Sequence, residues 1–257
     1  MTKLQFPHQQ SGYTVVELLI AGTLGLVLLA GVGQLFVGSN QTFRMQRQLA
    51  DVQDAGRFAI GFLRDEIERA GWEEGNSMPK AAGILNVASG VTPADMCPAN
   101  ICTADGGGDA SDAFTVAYGG AVDCLGNAAP GLQVENRYSI GGVDNRQLLC
   151  FGNGGAVAQP LIDDVDAMQV LYGLDDNDDQ VPDRYVPFSD VPANRIGAIT
   201  GVRVSLLIAG ESNQSIPQQN RVYQVGDRRY EFNDRIPRRV FSITAIIRNS
   251  QINSVTT

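Results

Sequence analysis

The residues of this 257-residue chain whose types and spacing could do chemistry are four cysteines, a run of aspartates and one glutamate inside an apolar stretch. The cysteines are Cys97, Cys102, Cys124 and Cys150. An even count in loop-rich sequence points to disulfides, which persist in an oxidising compartment such as the periplasm. Four cysteines allow three pairings. Cys97–Cys102 and Cys124–Cys150 are expected, because both join neighbouring segments and close short loops. Zinc is the weaker reading: Cys97-x4-Cys102 has a zinc-like spacing, but Cys124 and Cys150 supply no second close pair. Free buried thiols are the third.

The aspartates run Asp175-Asp-Asn-Asp-Asp-Gln-Val-Pro-Asp183. Asp175, Asn177, Asp179 and Asp183 stand at relative positions 1, 3, 5 and 9, with the Val181 carbonyl at position 7. These are hard oxygen ligands at the spacing of a calcium loop. Gln180 stands where the turn glycine of an EF-hand belongs and Val186 where its bidentate glutamate belongs, so the loop is not an EF-hand. Two readings stay open: a Ca²⁺ site completed by a distant ligand, or a solvated acidic loop.

Catalysis has little to draw on. The single histidine is His8, so loss of the first residues would remove Ser-His-Asp and Cys-His chemistry and histidine metal ligation. A formal net charge of −9 and a pI near 4.6 speak against a general nucleic-acid binder. Seven of the arginines (Arg221, Arg228, Arg229, Arg235, Arg238, Arg239 and Arg248) gather near the C-terminus. With Asp227, Glu231 and Asp234 among them, they read as a mixed, salt-bridged surface or subunit interface rather than a nucleic-acid patch.

The element that carries the glutamate comes first. Val15 to Val37 reads VVELLIAGTLGLVLLAGVGQLFV, with Glu17 its sole charge. As a helix this stretch is about 34 Å long, enough to cross a hydrocarbon core of about 30 Å, and longer than the apolar region of a secretory signal. An acid inside such a run is costly and calls for a partner. Charge does not orient the span: Lys3 precedes it, but Arg44, Arg47 and Arg57 follow.

The helical pattern continues. Met45, Leu49, Val52, Ala55, Ala59, Phe62, Leu63, Ile67 and Ala70 keep one face, and Gly71 reads as the stop. One helix from Tyr13 to Ala70, or two with a break near Gly38-Ser39-Asn40, both fit. Strands are expected at Ile84–Val87, Ala113–Tyr118, Gln133–Ile140, Gln147–Phe151, Met168–Tyr172, Val202–Ala209, Arg221–Val225 and Val240–Arg248. The last and Val202–Ala209 alternate as half-buried antiparallel strands do. The fold class is α+β: a long N-terminal helix packed on an antiparallel β-sheet head. Its expected domains are a leader (1–12), a membrane or assembly helix (13–37), its amphipathic continuation (38–71) and a β-rich head (72–257).

Ser11-Gly12-Tyr13-Thr14-Val15-Val16-Glu17 resembles a type IV prepilin processing motif. That resemblance implies cleavage after Gly12, methylation of the new N-terminus at Tyr13, and a glutamate five residues after the glycine, here Glu17. Tyr13 departs from the family's usual Phe but keeps the ring. Glu17 would then offset the Tyr13 ammonium of a neighbouring subunit and set helix register in an assembly, a pair costly to break in low dielectric.

Asp166-Ala-Met-Gln-Val-Leu-Tyr-Gly, Gly201-Val-Arg-Val-Ser-Leu-Leu-Ile and Arg238-Arg-Val-Phe-Ser-Ile-Thr-Ala-Ile-Ile-Arg-Asn resemble the PilW family of minor pilins, and the J-type minor pseudopilins of type II secretion are similar. Trp72 to Gly155 matches no motif. The resemblance implies a non-enzymatic structural subunit that helps initiate pilus assembly at or near the tip. Its implied partners are other minor pilins, the major pilin, a tip adhesin, the prepilin peptidase and the inner-membrane assembly platform. Its head would be periplasmic before assembly and at the cell surface after it. A secretion pseudopilin is the near alternative, and a membrane-anchored calcium-dependent periplasmic hydrolase the distant one.

Overall fold

The computed structural model describes residues 12–72, 83–84, 92–93, 95–212 and 216–249. The leader up to Ser11, with Lys3 and His8, lies outside them, and so does the expected strand 84–87 beyond Ile84. The chain divides into two compact units, residues 1–47 and 48–257. Helix α1, Val15–Arg69, begins in the first and ends in the second.

In the first unit Thr14 caps the helix, its hydroxyl accepting from the Glu17 N–H at 3.3 Å. The expected alternative of a break near Gly38 is not realised. Those residues are helical, and Asn40 Nδ2 and Thr42 Oγ1 donate to the Phe36 and Gly38 carbonyls one turn back, at 3.0 Å each. None of the most apolar window is buried within the chain.

In the second unit α1 lays a stripe of Val52, Gly56, Ala59, Leu63, Glu66 and Ile67 against the head. The stripe starts later than the spacing predicts, since Met45 and Leu49 are exposed. The helix stops at Gly71, whose φ of +75° suits glycine and whose N–H donates to the Ala117 carbonyl at 2.8 Å.

Two antiparallel four-stranded sheets form the head. Sheet 1 has the order β1-β2-β3-β4, from Phe114–Gly119, Gln133–Gly141, Gln147–Gly152 and Gln159–Ile162. Sheet 2 has the order β10-β7-β5-β6, from Arg238–Ile246, Ile199–Ala209, Val165–Leu174 and Arg184–Val186. A separate hairpin pairs β8 (Gln219–Val225) with β9 (Arg228–Asp234). One core, including Leu63, Ile67, Phe114, Tyr138, Val170 and Val204, joins the helix to both sheets.

Three strands escape the sequence pattern. β4 and β6 are too short to show a period, and in β9 the apolar face is only Tyr230 and Phe232 between charged residues. β10 starts two residues earlier than expected and ends at Ile246. The half-buried expectation for β7 also fails. Ser205 and Leu207, on the face opposite the core, are buried as well, because the β8–β9 hairpin brings Val225 and Tyr230 over Leu207 and Ala167. β7 is a two-sided strand, and alternation cannot report a cover supplied by a distant hairpin.

Both expected disulfides are formed. The Cα atoms are 4.5 Å apart for Cys97–Cys102 and 6.6 Å for Cys124–Cys150. The second ties the β1–β2 connection to β3. No cysteine is free, so the zinc and thiol readings fall.

Candidate functional site

The N-terminal segment is built to be covered from outside. Tyr13 is 87% exposed, and Val15, Leu18, Leu29, Leu35 and Phe36 are each at least 70% exposed. Such a surface needs lipid or other helices around it, since each apolar side chain left in water forfeits about 1.5–3 kcal/mol. Gly12, Tyr13 and Glu17 stand together at its end, all exposed, and the Glu17 carboxylate has no cation partner among the described residues.

A second acid on the same helix is treated in the opposite way. Glu66 is 1% exposed, and its carboxylate accepts from Tyr138 Oη at 2.6 Å, Asn136 Nδ2 at 2.7 Å, Tyr118 Oη at 3.1 Å and Arg69 NH2 at 2.6 Å. Burial, reinforced by the Glu66 charge, pushes both phenols above their ordinary range, so they stay protonated donors. This cluster pins α1 to β1 and β2. Sequence reasoning missed it, although Glu66 sits on the buried stripe three residues after Leu63, where an acid without an internal partner would not be tolerated.

Ten residues earlier, Gly56 makes the second fixed contact. A Cβ there would lie 2.3 Å from the Phe241 ring of β10. The glycine is thus required by close approach of helix and sheet 2, a demand that the helical spacing alone does not reveal.

The acidic loop connects β5 to β6. Asp175 is buried; its carboxylate accepts from the Asp179 N–H at 3.1 Å and the Gln180 N–H at 2.8 Å. Asp183 accepts from the Asp176 N–H at 2.7 Å, and Asp179 from the Val181 N–H at 2.9 Å. Asn177 Nδ2 bridges toward Asp179 and Asp183. Arg184 pairs with Asp176 at 2.7 Å, holding that carboxyl below its ordinary value, and Arg195 reaches the Asp175 carbonyl. The ligand candidates Asp175, Asn177, Asp179 and Asp183 are thus brought together, each with at least one oxygen accepting a turn N–H. Among the described residues no group of three or more His, Cys, Asp or Glu side chains is arranged to hold a metal.

The C-terminal arginines are largely occupied. Arg238, whose side chain is 4% exposed, holds Asp166 and Asp234 and stacks 3.7 Å from the Phe232 ring centre. Arg248 pairs with Glu68 at 2.6 Å beside a groove of about 490 Å³ lined also by Trp72, Gly120 and Val122.

Residues 135–249 match the family model of the type IV pilus-assembly protein W, PilW. The match begins in β2, within the stretch Trp72 to Gly155 that carries no recognisable motif, and ends at the last described residue. A search of the curated proteins finds no match. Among solved structures, a type IV-like pilin from Thermus thermophilus is 12% identical, with a TM-score of 0.44 over 79% of this chain and 96% of its own. The GspK–GspI–GspJ complex of the enterotoxigenic Escherichia coli type 2 secretion system gives 13% identity and a TM-score of 0.34, over 60% of this chain and 88% of the other. Both scores are too low to bear on the fold. From β2 through β10, then, it is the head of this chain, under half of its length, that matches the PilW family, the family its strand motifs resemble.

Proposed function

We propose that this chain is a minor pilin: a structural, non-enzymatic subunit cleaved after Gly12, methylated at Tyr13, and incorporated at or near the tip of a type IV pilus, where it helps initiate assembly. The observation that supports this most is the exposed apolar segment Val15–Val37, whose sole charge, Glu17, lies close to the motif's cleavage point. In a fibre, the Glu17 carboxylate of one subunit would meet the Tyr13 ammonium of the next, and the apolar faces would bury each other. Before assembly the same segment would sit in the inner membrane, with the disulfide-bonded head in the periplasm. The PilW match supports the pilus over a secretion pseudopilin. Other minor pilins, the major pilin, a tip adhesin, the prepilin peptidase and the assembly platform are the partners proposed.

Sheared pili test the reading. The protein should co-purify with them, and mass spectrometry should find an N-methylated Tyr13. A mature N-terminus at Met1, or co-purification with a secretion apparatus instead, would reject it.

A further inference from the structure

The loop bracketed by the Ala104–Ala113 bridge contains Gly106-Gly107-Gly108 and joins four parts of the head. Asp105 accepts from the Phe188 and Ser189 N–H groups at 2.9 and 2.6 Å, just past β6. Ser111 Oγ accepts from the Met168 N–H of β5 at 3.0 Å. The Ala110 carbonyl accepts from Gln169 Nε2, which also donates to Tyr230 Oη of β9 at 2.7 Å. Arg228 of β9 donates to the Gly108 carbonyl. The next residue after Ala113 starts β1.

At the centre of this joint sits Asp112, 3% exposed. Its two oxygens accept one backbone N–H each, Gly106 at 2.8 Å and Val170 at 2.7 Å. No guanidinium pairs with it among the described residues. A buried carboxylate with two neutral donors is poorly compensated for the water it has lost.

We propose that Asp112 makes this loop a proton-operated latch, held firmly to sheet 2 and the hairpin in mildly acidic surroundings and loosened above neutrality.

The surrounding groups agree on the direction. Burial lifts the Asp112 carboxyl from 3.8 to about 6; the Val170 and Gly106 N–H groups oppose this, the Asp105 charge adds to it, and Arg228 opposes it. Tyr172 of β5 and Tyr230 of β9 also face this acidic group and are both pushed upward by burial, so neither supplies charge near neutrality; Asp109 faces Tyr230. The folded state therefore binds this proton more tightly than the unfolded chain. The stabilisation is fully present below 3.8 and is lost as pH rises through about 6. Local opening follows the same linkage, because an opened loop returns the carboxylate to water. Asp234, held below its ordinary value chiefly by its hydrogen bond from Arg238, loses its contribution only below that window. The latch does not depend on the assembly role.

The test uses the full-length protein in detergent. Between pH 7.5 and 4.5 the wild-type folding equilibrium constant should rise by roughly twenty- to thirtyfold, the linkage expected for a carboxyl moved from 3.8 to about 6. Asp112→Asn should flatten this rise whatever its own baseline stability, since an amide does not titrate. Carbon NMR of the wild-type Asp112 carboxyl should give a midpoint near 6, moved down in Asp105→Asn and up in Arg228→Gln. Exchange of the Gly106 and Val170 amides, corrected for its intrinsic pH dependence, should speed up selectively above that midpoint. A wild-type midpoint at the ordinary carboxylate value, an unchanged pH slope in Asp112→Asn, or uniform protection of both amides across the range would overturn the latch.

Discussion

Helix α1 carries two glutamates on apolar faces, and the chain solves the problem they pose in two ways. Glu66 is enclosed by Tyr118, Tyr138, Asn136 and Arg69 of its own chain. Glu17 stands among exposed apolar residues with no cation partner among those described. One acid closes a fold; the other meets no such enclosure among the described residues. The sequence environments are alike, an acid within an apolar stripe, so the difference lies in what the rest of the chain brings to each.

Breaking the first site should have the largest effect on stability. Glu66→Leu leaves Tyr138 Oη, Asn136 Nδ2 and the Arg69 guanidinium without their acceptor, and should cost about 3–5 kcal/mol in chemical denaturation. Glu66→Gln, which keeps the shape and one acceptor, should cost less. Equal, small losses for both would show that the hydrogen bonds to the carboxylate do not hold α1 to sheet 1.

Gly56 sharpens the comparison by replacing chemistry with shape. Gly56→Ala puts a methyl into the Phe241 ring and should cost about 1–3 kcal/mol. Adding Phe241→Leu should recover part of that loss, giving a favourable coupling in a double-mutant cycle. Strict additivity would mean the helix shifts instead of clashing.

The calcium proposal for Asp175, Asn177, Val181, Asp179 and Asp183 predicts a smaller change. At an affinity on the order of 10⁻⁴ M, millimolar calcium should stabilise the protein by about 1.4 kcal/mol and EDTA should reverse it. Asp179→Ala should abolish the difference. Flat melting and flat calorimetric titration would leave the carboxylates with the turn N–H groups they already hold.

Glu17→Ala should move stability least of all, by about 0.5 kcal/mol or less, as expected for an exposed side chain. The same variant should be processed normally yet lost from sheared pili. A variant that melts early, or that assembles as wild type does, would remove the contrast between the two acids.

Much of this molecule is written in local order. The period of the apolar residues defined α1, because a helix reports its own face within two turns. The apolar stretch Val15–Val37 was legible for the same reason: length and apolarity are properties of contiguous residues. The cysteine pairing was legible too, since both bridges join segments that already lie close along the chain. What the sequence could not decide are the contacts between distant segments. Glu66 meets Tyr138 72 residues away, Gly56 meets Phe241, and the β8–β9 hairpin covers β7 and turns a one-sided strand into a two-sided one. Asp112 is an ordinary aspartate until the Val170 N–H, 58 residues on, closes over it. Burial and hydrogen bonding across such separations depend on which surfaces the fold brings together, and no local pattern carries that information.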